Sequence, residues 1–472
     1  MAIPASGPLT MTTIQTEFGG SNPISLSEYY AGGGLVPAGT TGTYGAVPSS
    51  GTISIQKFYG TSNYTGYWAA EFSGVSVAPN GNWVDATGIY LNDNDSGGFI
   101  RISPNDTIAY GGTLGISGVG SSTRTFKAVT VDGSGNVYMT GSWDNGVNNR
   151  GNFVGKYDSN LSPLWGFVEV GQSGGSDCYK NVFDSSGNLV TCPRASIGTP
   201  ASTPFLLRIS PSGTVVSQTV AKDSTNIETS TAVAKDSSGN LYMIADTLNG
   251  STYRAGVAKF SSTGATQIWN TSLEVSGSNL STTGLVIDSA DNVYVSASPR
   301  VGSGSVNAFV RKTNSAGTLI WELKFTFSLP FQDIADISID ASDNIYLSST
   351  TYISSVFTTV VWKFNSSGVF QWGRQLTYAP GGTPASKFAK LYVYGSKLHF
   401  TGYNSLVVLP TDGSRTGTYG SWIWATYAAP TTGTFTITPY SATASGTPQF
   451  ISSTALTMTS TAASVTQTVT AI

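Results

Sequence analysis

Five aspartates, Asp132, Asp184, Asp236, Asp288 and Asp340, follow one another at a constant interval of 52 residues. Each opens a version of the same short text: DGSGNVYM, DSSGNLV, DSSGNLYM, DSADNVYV and DASDNIYL. A degenerate copy, APNGNWV at residues 78–84, precedes them, and a drifted one, LYVYGSKLHF at residues 391–400, follows, which brings the number of units to seven. A fixed period of this length marks a repeat architecture and confines the fold to stacked or ring-closed units.

Every unit holds a second turn, entered from an apolar run with one basic residue: FVGKYDSN from residue 153, FLLRISPSG from 205, GVAKFSSTG from 256, FVRKTNSAG from 309 and VWKFNSSG from 361. FIRISPND from residue 99 fits as well, and SLVVLPTDG from 405 fits without the basic residue. Two hairpins make four strands, the content of one propeller blade, and no helical periodicity competes with that reading. The expectation is an all-β, seven-bladed β-propeller over residues 61–427.

The turn chemistry agrees. Asp and Asn side chains cap their own backbone in tight turns, and Gly supplies the positive φ that hairpin loops demand. Beyond the turn, pairs such as Val137-Tyr138, Leu241-Tyr242, Val293-Tyr294 and Ile345-Tyr346 put an aliphatic and an aromatic on opposite faces of a strand. Trp165, Trp269, Trp321 and Trp372 end the second hairpin at matching positions. Core packing is expected for them, on the order of 4 to 6 kcal/mol per buried ring, and a sugar-stacking platform is the competing reading.

A 10% charged, 11% aromatic composition with 55 glycines is that of a weakly charged β-protein, and a net charge of −3 argues against nucleic acid as the main partner. There is no apolar run long enough for membrane insertion, and the first residues lack the basic start and apolar core of a signal peptide. Cys178 and Cys192 flank the first hairpin of the third unit, so either a disulfide or two buried thiols is expected.

Residues 1–60 carry a different pattern. LTMTTI from residue 9, ISLSEY from 24 and ISIQKF from 53 share an apolar, hydroxyl, apolar, polar, polar, apolar order. Each reads as a helix of one or two turns, with capping pairs at Thr12 and Gln15 and at Ser25 and Glu28, and with Gly19, Gly32 and Gly60 as stops. Elements this short are expected to need a partner surface, for which Ile14, Phe18, Tyr29, Tyr30, Phe58 and Tyr59 are the candidate anchors. Residues 428–472, rich in Ser and Thr with alternating β-formers, are expected to form a small β-domain or an arm that adds a strand to a neighbour.

The residues hold little recognisable chemistry. The single histidine, His399, occupies the strand tyrosine's place and reads as a core or blade-edge residue. A paired-carboxylate glycosidase is a competing class, but the recurrent aspartates sit in turns. LNDNDSGG, with Asp93 and Asp95, is the best calcium candidate, ahead of the Asp-x-Ser-x-Asn turns with one carboxylate each. Arg101, Lys156, Arg208, Lys259, Arg311 and Lys363 read as occupying one repeat position and are expected either to form a cationic ring or to pair with nearby turn carboxylates. No catalytic residue, metal site or cofactor is assigned.

The combination IPASGPLTMTTIQTEFGG, NPISLSEYYAGG and VPSSGTISIQKFYG closely resembles an N-terminal module of structural proteins of tailed bacteriophages, notably phages of aquatic bacteria. The propeller resembles the broad NHL-like group of repeats. What the first resemblance implies is a virion component made in the host cytoplasm without a signal peptide, docked by residues 1–60 to other virion proteins in multiple symmetric copies. A tail or tail-fibre position, with the propeller touching a host-surface glycan, is the leading expectation. Capsid decoration is the second, and a virion-borne glycan-active enzyme is the third.

Overall fold

The repeated turns reverse the chain into antiparallel hairpins, and the hairpins assemble into seven sheets. The structure, a computed structural model, describes residues 3, 6–33, 35–36, 40–59, 68–73, 78–92, 98–104, 108–117, 123–144, 150–169, 178–195, 203–220, 227–249, 252–273, 279–299, 307–326, 333–353, 356–378, 390–402, 404–414, 416–419, 422–426, 431–433, 453–455, 457–462 and 466–471. The chain divides into two compact units, residues 1–69 with 469–472, and residues 70–468.

The second unit is the expected seven-bladed propeller. Blade 4 shows the pattern: Ile227–Lys235 lies innermost, followed outward by Leu241–Asn249, Thr252–Phe260 and Gln267–Leu273. Its register brings Tyr242, Lys259 and Trp269 into one row across three strands. Buried aliphatics and aromatics from neighbouring sheets interdigitate, as Tyr242, Ile244 and Val257 of blade 4 do with Leu285, Val293 and Val295 of blade 5. This sheet-on-sheet packing makes the propeller's core a ring of contacts between blades.

The last blade combines both ends of the propeller segment. Lys390–Tyr394, Lys397–Gly402 and Ser405–Pro410 are followed outward by Trp68–Ser73, so the strand entering the propeller closes it. The Phe72 amide donates to the Asn404 carbonyl at 2.8 Å.

The carboxy-terminal segment is an arm, and it adds its strands to its own propeller. Trp422–Thr426 pairs outside blade 6, Thr431–Gly433 outside blade 5, Ser453–Ala455 outside blade 2, Thr457–Ala462 outside blade 1 and Thr466–Ala471 outside the closing strand of blade 7. The arm therefore runs round the rim against the blade order. Among the described residues, blades 3 and 4 carry no added strand. Each added strand covers an edge whose N–H and C=O groups would otherwise recruit another chain.

The first unit is built from the helix Met11–Phe18, the 3-10 turns Leu26–Glu28 and Ile55–Phe58, and a small hairpin of Thr41–Gly42 with Gly45–Ala46. The helix starts two residues earlier than the sequence motif indicates, because Thr10 is its N-cap and accepts from the Thr13 amide at 3.2 Å. Ser25 caps the second element as expected, through the Ser27 amide. Gly19 ends the helix at φ 80°.

These short elements were expected to require a partner, yet they supply one another's. Ile3, Ile14, Phe18, Tyr29, Ala31, Val36, Val47 and Phe58 form a buried cluster. Phe58 is its hub, with ring centroids 5.9 Å from Phe18 and 6.2 Å from Tyr29, both edge-on.

Candidate functional site

The repeats of blades 2, 4, 5 and 6 encode an Asp–Lys–Trp latch to the following blade. In blade 4 the Asp236 carboxylate accepts from the Asn240 backbone amide at 2.7 Å and from the Asn240 side chain at 2.9 Å, which closes the first turn. It also accepts from the Tyr242 hydroxyl at 3.1 Å and meets the Lys259 ammonium at 3.1 Å. The same ammonium sits 5.0 Å from the centre of the Tyr242 ring and donates to the Ser315 carbonyl of blade 5 at 3.1 Å. Burial alone would raise the Asp236 pKa, but the Asn240 and Lys259 contacts outweigh it and hold the carboxyl below the usual range.

Trp269 completes the latch. Its indole N–H donates to the same Ser315 carbonyl at 3.0 Å, and its ring stands edge-on to Tyr242 at 5.8 Å. The face of the indole is covered by Gly317 of the next blade, at φ +84°, where an added Cβ would lie 2.9 Å from the ring. Gly at this position thus serves both the turn and the tryptophan. Trp165 over Gly213, Trp321 over Gly368 and Trp372 over Gly413 repeat the contact. In blade 2 the position is Leu161, a non-glycine at φ 66°, and the preceding blade carries Tyr110 at the tryptophan register. The smaller ring leaves space for the leucine.

The tryptophans are half-buried and in contact with the next blade, so the stabilisation expected for full burial is reduced to roughly half of that range. The cationic ring is overturned. Lys156, Lys259, Lys312 and Lys363 pair with Asp132, Asp236, Asp288 and Asp340 within 3.0 to 3.8 Å, and Arg208 pairs with Asp184 through Nε at 3.0 Å. Arg101 donates to the Ser159 carbonyl of the next blade at 2.6 Å. The member from blade 5 is Lys312, opposite Tyr294 and Trp321, whereas Arg311 points to the other face and pairs with Glu322 at 3.2 Å. Adjacent basic residues made the alignment of that unit ambiguous by one position, and strand alternation decides it.

The turn carboxylates are occupied by N–H donors, which removes them as calcium ligands. Among the described residues no group of three His, Cys, Asp or Glu side chains could hold a metal. The Asp93 and Asp95 loop lies outside the described residues. Cys178 and Cys192 are buried side by side as free thiols. His399 is buried at the tyrosine position, with its pKa pushed down to about 3 by desolvation and then by Lys397.

Ile14, Phe18, Tyr29 and Phe58 are fully or almost fully buried within their own unit. The Tyr30 hydroxyl donates to the Gly51 carbonyl and the Tyr59 hydroxyl to the Gly7 carbonyl at 2.6 Å. Tyr44, 47% exposed, packs edge-on to Tyr59 at 5.8 Å, and these two form the unit's outward aromatic pair.

A different cluster lies where the innermost strands converge. A cavity of about 40 Å³ is lined by residues that include Tyr179, Lys180, Thr231, Asp336, Ser338, Lys390 and Tyr392. Lys390 stands 3.9 Å from the Asp336 carboxylate, and Lys180 donates to the Leu285 carbonyl of blade 5 at 3.1 Å. The ammoniums of Lys127 and Lys390 lie 5.1 and 5.3 Å from the centre of the Tyr179 ring. Desolvation first, and then Lys390, lowers the Lys180 pKa against the pull of Asp336, while desolvation raises that of Asp336. The inner strands bulge at this height, with register shifts between Phe126 and Ala128, Ser230 and Ala232, Thr282 and Gly284, and Ile334 and Asp336. Bulges re-aim side chains, here around the ring's axis.

Sequence reasoning missed this cluster because it sought recurrence. Lys127, Tyr179, Thr231 and Thr283 share one repeat position, and Lys180, Ala232, Gly284 and Asp336 share the next. The available signal was that these two positions vary more than the turn aspartates, which recur in five units, and the strand cations, which recur in six.

No family model matches the chain. No curated protein matches it either. Among solved structures, similarity is found to a gluconolactonase from Xanthomonas campestris at 16% identity and TM-score 0.34, over 62% of this chain and 90% of that one. The extracellular domains 1-2 of Drosophila Semaphorin 1b match at 11% identity and TM-score 0.40, over 72% of this chain and 85% of that one. A protein of unknown function from Dyadobacter fermentans matches at 9% identity and TM-score 0.38, over 72% of this chain and 99% of that one. Likeness this distant carries no argument about activity.

Proposed function

We propose that the protein is a structural component of a tailed-phage virion, with residues 1–60 docking it to the particle and the propeller displayed on tail or tail fibre for contact with the host surface. The observation that carries this reading is the amino-terminal unit. Its sequence resembles a phage attachment module, and its elements fold around a core of their own. A self-contained unit suits attachment, since its outer surface stays available to a neighbour. On this reading the buried aromatics Phe18, Tyr29 and Phe58 shape the unit, and the outward pair of Tyr44 and Tyr59 makes the docking contact.

The latches support a display role. Asp–Lys–Trp contacts repeated between blades hold the ring rigid, and a rigid ring presents its connections for recognition at low entropic cost. Deleting residues 1–59 is expected to leave a folded propeller that no longer enters particles, measured by copy number in purified virions. Incorporation of the truncated chain at the normal level would refute the docking scheme. Tyr44→Ser is expected to reduce incorporation without altering the melting temperature of either unit.

A further inference from the structure

We propose that the inner end of the propeller channel is an oxyanion-binding site, built by Lys180 and Lys390 beside Tyr392 and Ser338, which takes a single carboxylate or sulfate group. The charge balance is the first reason. Two ammoniums line a cavity whose described wall contains one carboxylate, Asp336, and a third, Lys127, approaches Tyr179. Cations withdrawn from water need compensation, and Asp336 compensates one of the two that line the wall.

Asp336 is already engaged. Its carboxylate accepts from the Ile337 amide at 2.9 Å and the Leu391 amide at 3.3 Å, besides facing Lys390. Ser338 accepts from the Val393 amide at 3.0 Å, which leaves its own proton to donate. Tyr392 contributes a second hydroxyl, kept protonated by desolvation and by Asp336. A cavity of about 40 Å³ has room for a few water-sized atoms, which suits one oxyanion group and excludes an enclosed sugar ring.

The cluster also draws on several blades without repeating from one to the next. Lys180 comes from blade 3, Asp336 and Ser338 from blade 6, and Lys390 and Tyr392 from blade 7. The latch recurs in several blades, and this arrangement occurs once among the described inner strands. The site stands independently of where the protein is assembled.

Calorimetric titration of the full-length protein with sulfate, glucuronate and, as the neutral control, glucose tests the proposal. Sulfate, glucuronate or both are expected to bind at millimolar concentration or below, and glucose is not. Glucuronate bound more tightly than sulfate identifies the terminal group of an acidic sugar, and the reverse order identifies a free inorganic anion. Lys390→Gln and Lys180→Gln are each expected to weaken binding about 10-fold, and Asp336→Asn, which removes the competing carboxylate, to tighten it several-fold. Circular dichroism of each variant establishes that it is folded. Absence of binding by both anions, equal binding of glucose, or unchanged affinity in both lysine variants would overturn the site.

Discussion

Six of the blade junctions and the seventh are held by different means. From blade 1 to blade 7 each third strand sends a Lys or Arg to the turn of the following blade: Arg101 to Ser159, Lys156 to Pro211, Arg208 to Thr263, Lys259 to Ser315, Lys312 to Ser366 and Lys363 to Thr411. Between blade 7 and blade 1 the cation is replaced by Val408 and the tyrosine by His399, which face each other in register. A cavity of about 270 Å³, lined by Asp85, Ser103, Pro104, Lys397 and His399 among others, occupies the junction. The seventh blade is instead closed by strand pairing, because Trp68–Ser73 belongs to the sheet of Ser405–Pro410. Side-chain latches hold junctions that the chain crosses in sequence, and backbone hydrogen bonds hold the one where its ends meet.

The largest expected effect comes from breaking a latch at its charge. Asp236→Ala strands the Lys259 ammonium, whose side chain is 8% exposed, and should cost about 4 kcal/mol in denaturant unfolding. Adding Lys259→Met should recover much of that loss. A loss no greater than that of an exposed salt bridge would mean that the pair does not hold the junction. Trp269→Ala removes a half-buried ring and the hydrogen bond to Ser315, for roughly 3 kcal/mol by the same measurement.

The unlatched junction should respond to acid. His399 has its folded pKa lowered to about 3 from 6.5, so its neutral form contributes stability that is present above pH 6.5 and lost as pH falls. By pH 5 the loss should be about 2 kcal/mol, and His399→Gln should flatten the stability profile between pH 7 and pH 5. An unchanged profile would place the histidine's charge in contact with solvent. The smallest effect is expected at Ser217, which stands opposite Arg208 where other blades carry tryptophan. Its hydroxyl has no hydrogen-bond partner among the described residues, so Ser217→Ala should change stability by less than about 0.5 kcal/mol in thermal melts.

The latch also shows where a local rule is relaxed by a contact from elsewhere. Blades 5 and 6 place Asp291 and Asp343 at φ 61° where Gly135, Gly187 and Gly239 stand in other turns. The conformation is strained for a residue with a side chain, but each carboxylate caps the turn of the preceding blade, Asp291 on Ser237 at 2.8 Å and Asp343 on Ser289 at 2.9 Å. In the sequence, DSADN and DASDN look like weakened copies of DSSGN. In the fold they are additional links between blades.

The sequence by itself determined the number of blades, the place of their hairpins and most of the residues from which the latch is built, because each depends on residues recurring at one period and on turn chemistry that acts locally. It also determined that the first sixty residues form short capped elements, since caps and glycine stops act within a few positions. Only the tertiary structure decided that those elements bury Phe58 among themselves, that the carboxy-terminal arm pairs with blades 6, 5, 2, 1 and 7, and that Lys180, Asp336 and Lys390 meet at the axis. These contacts join residues far apart in the chain, and ring closure, which no local pattern encodes, is what brings them within reach.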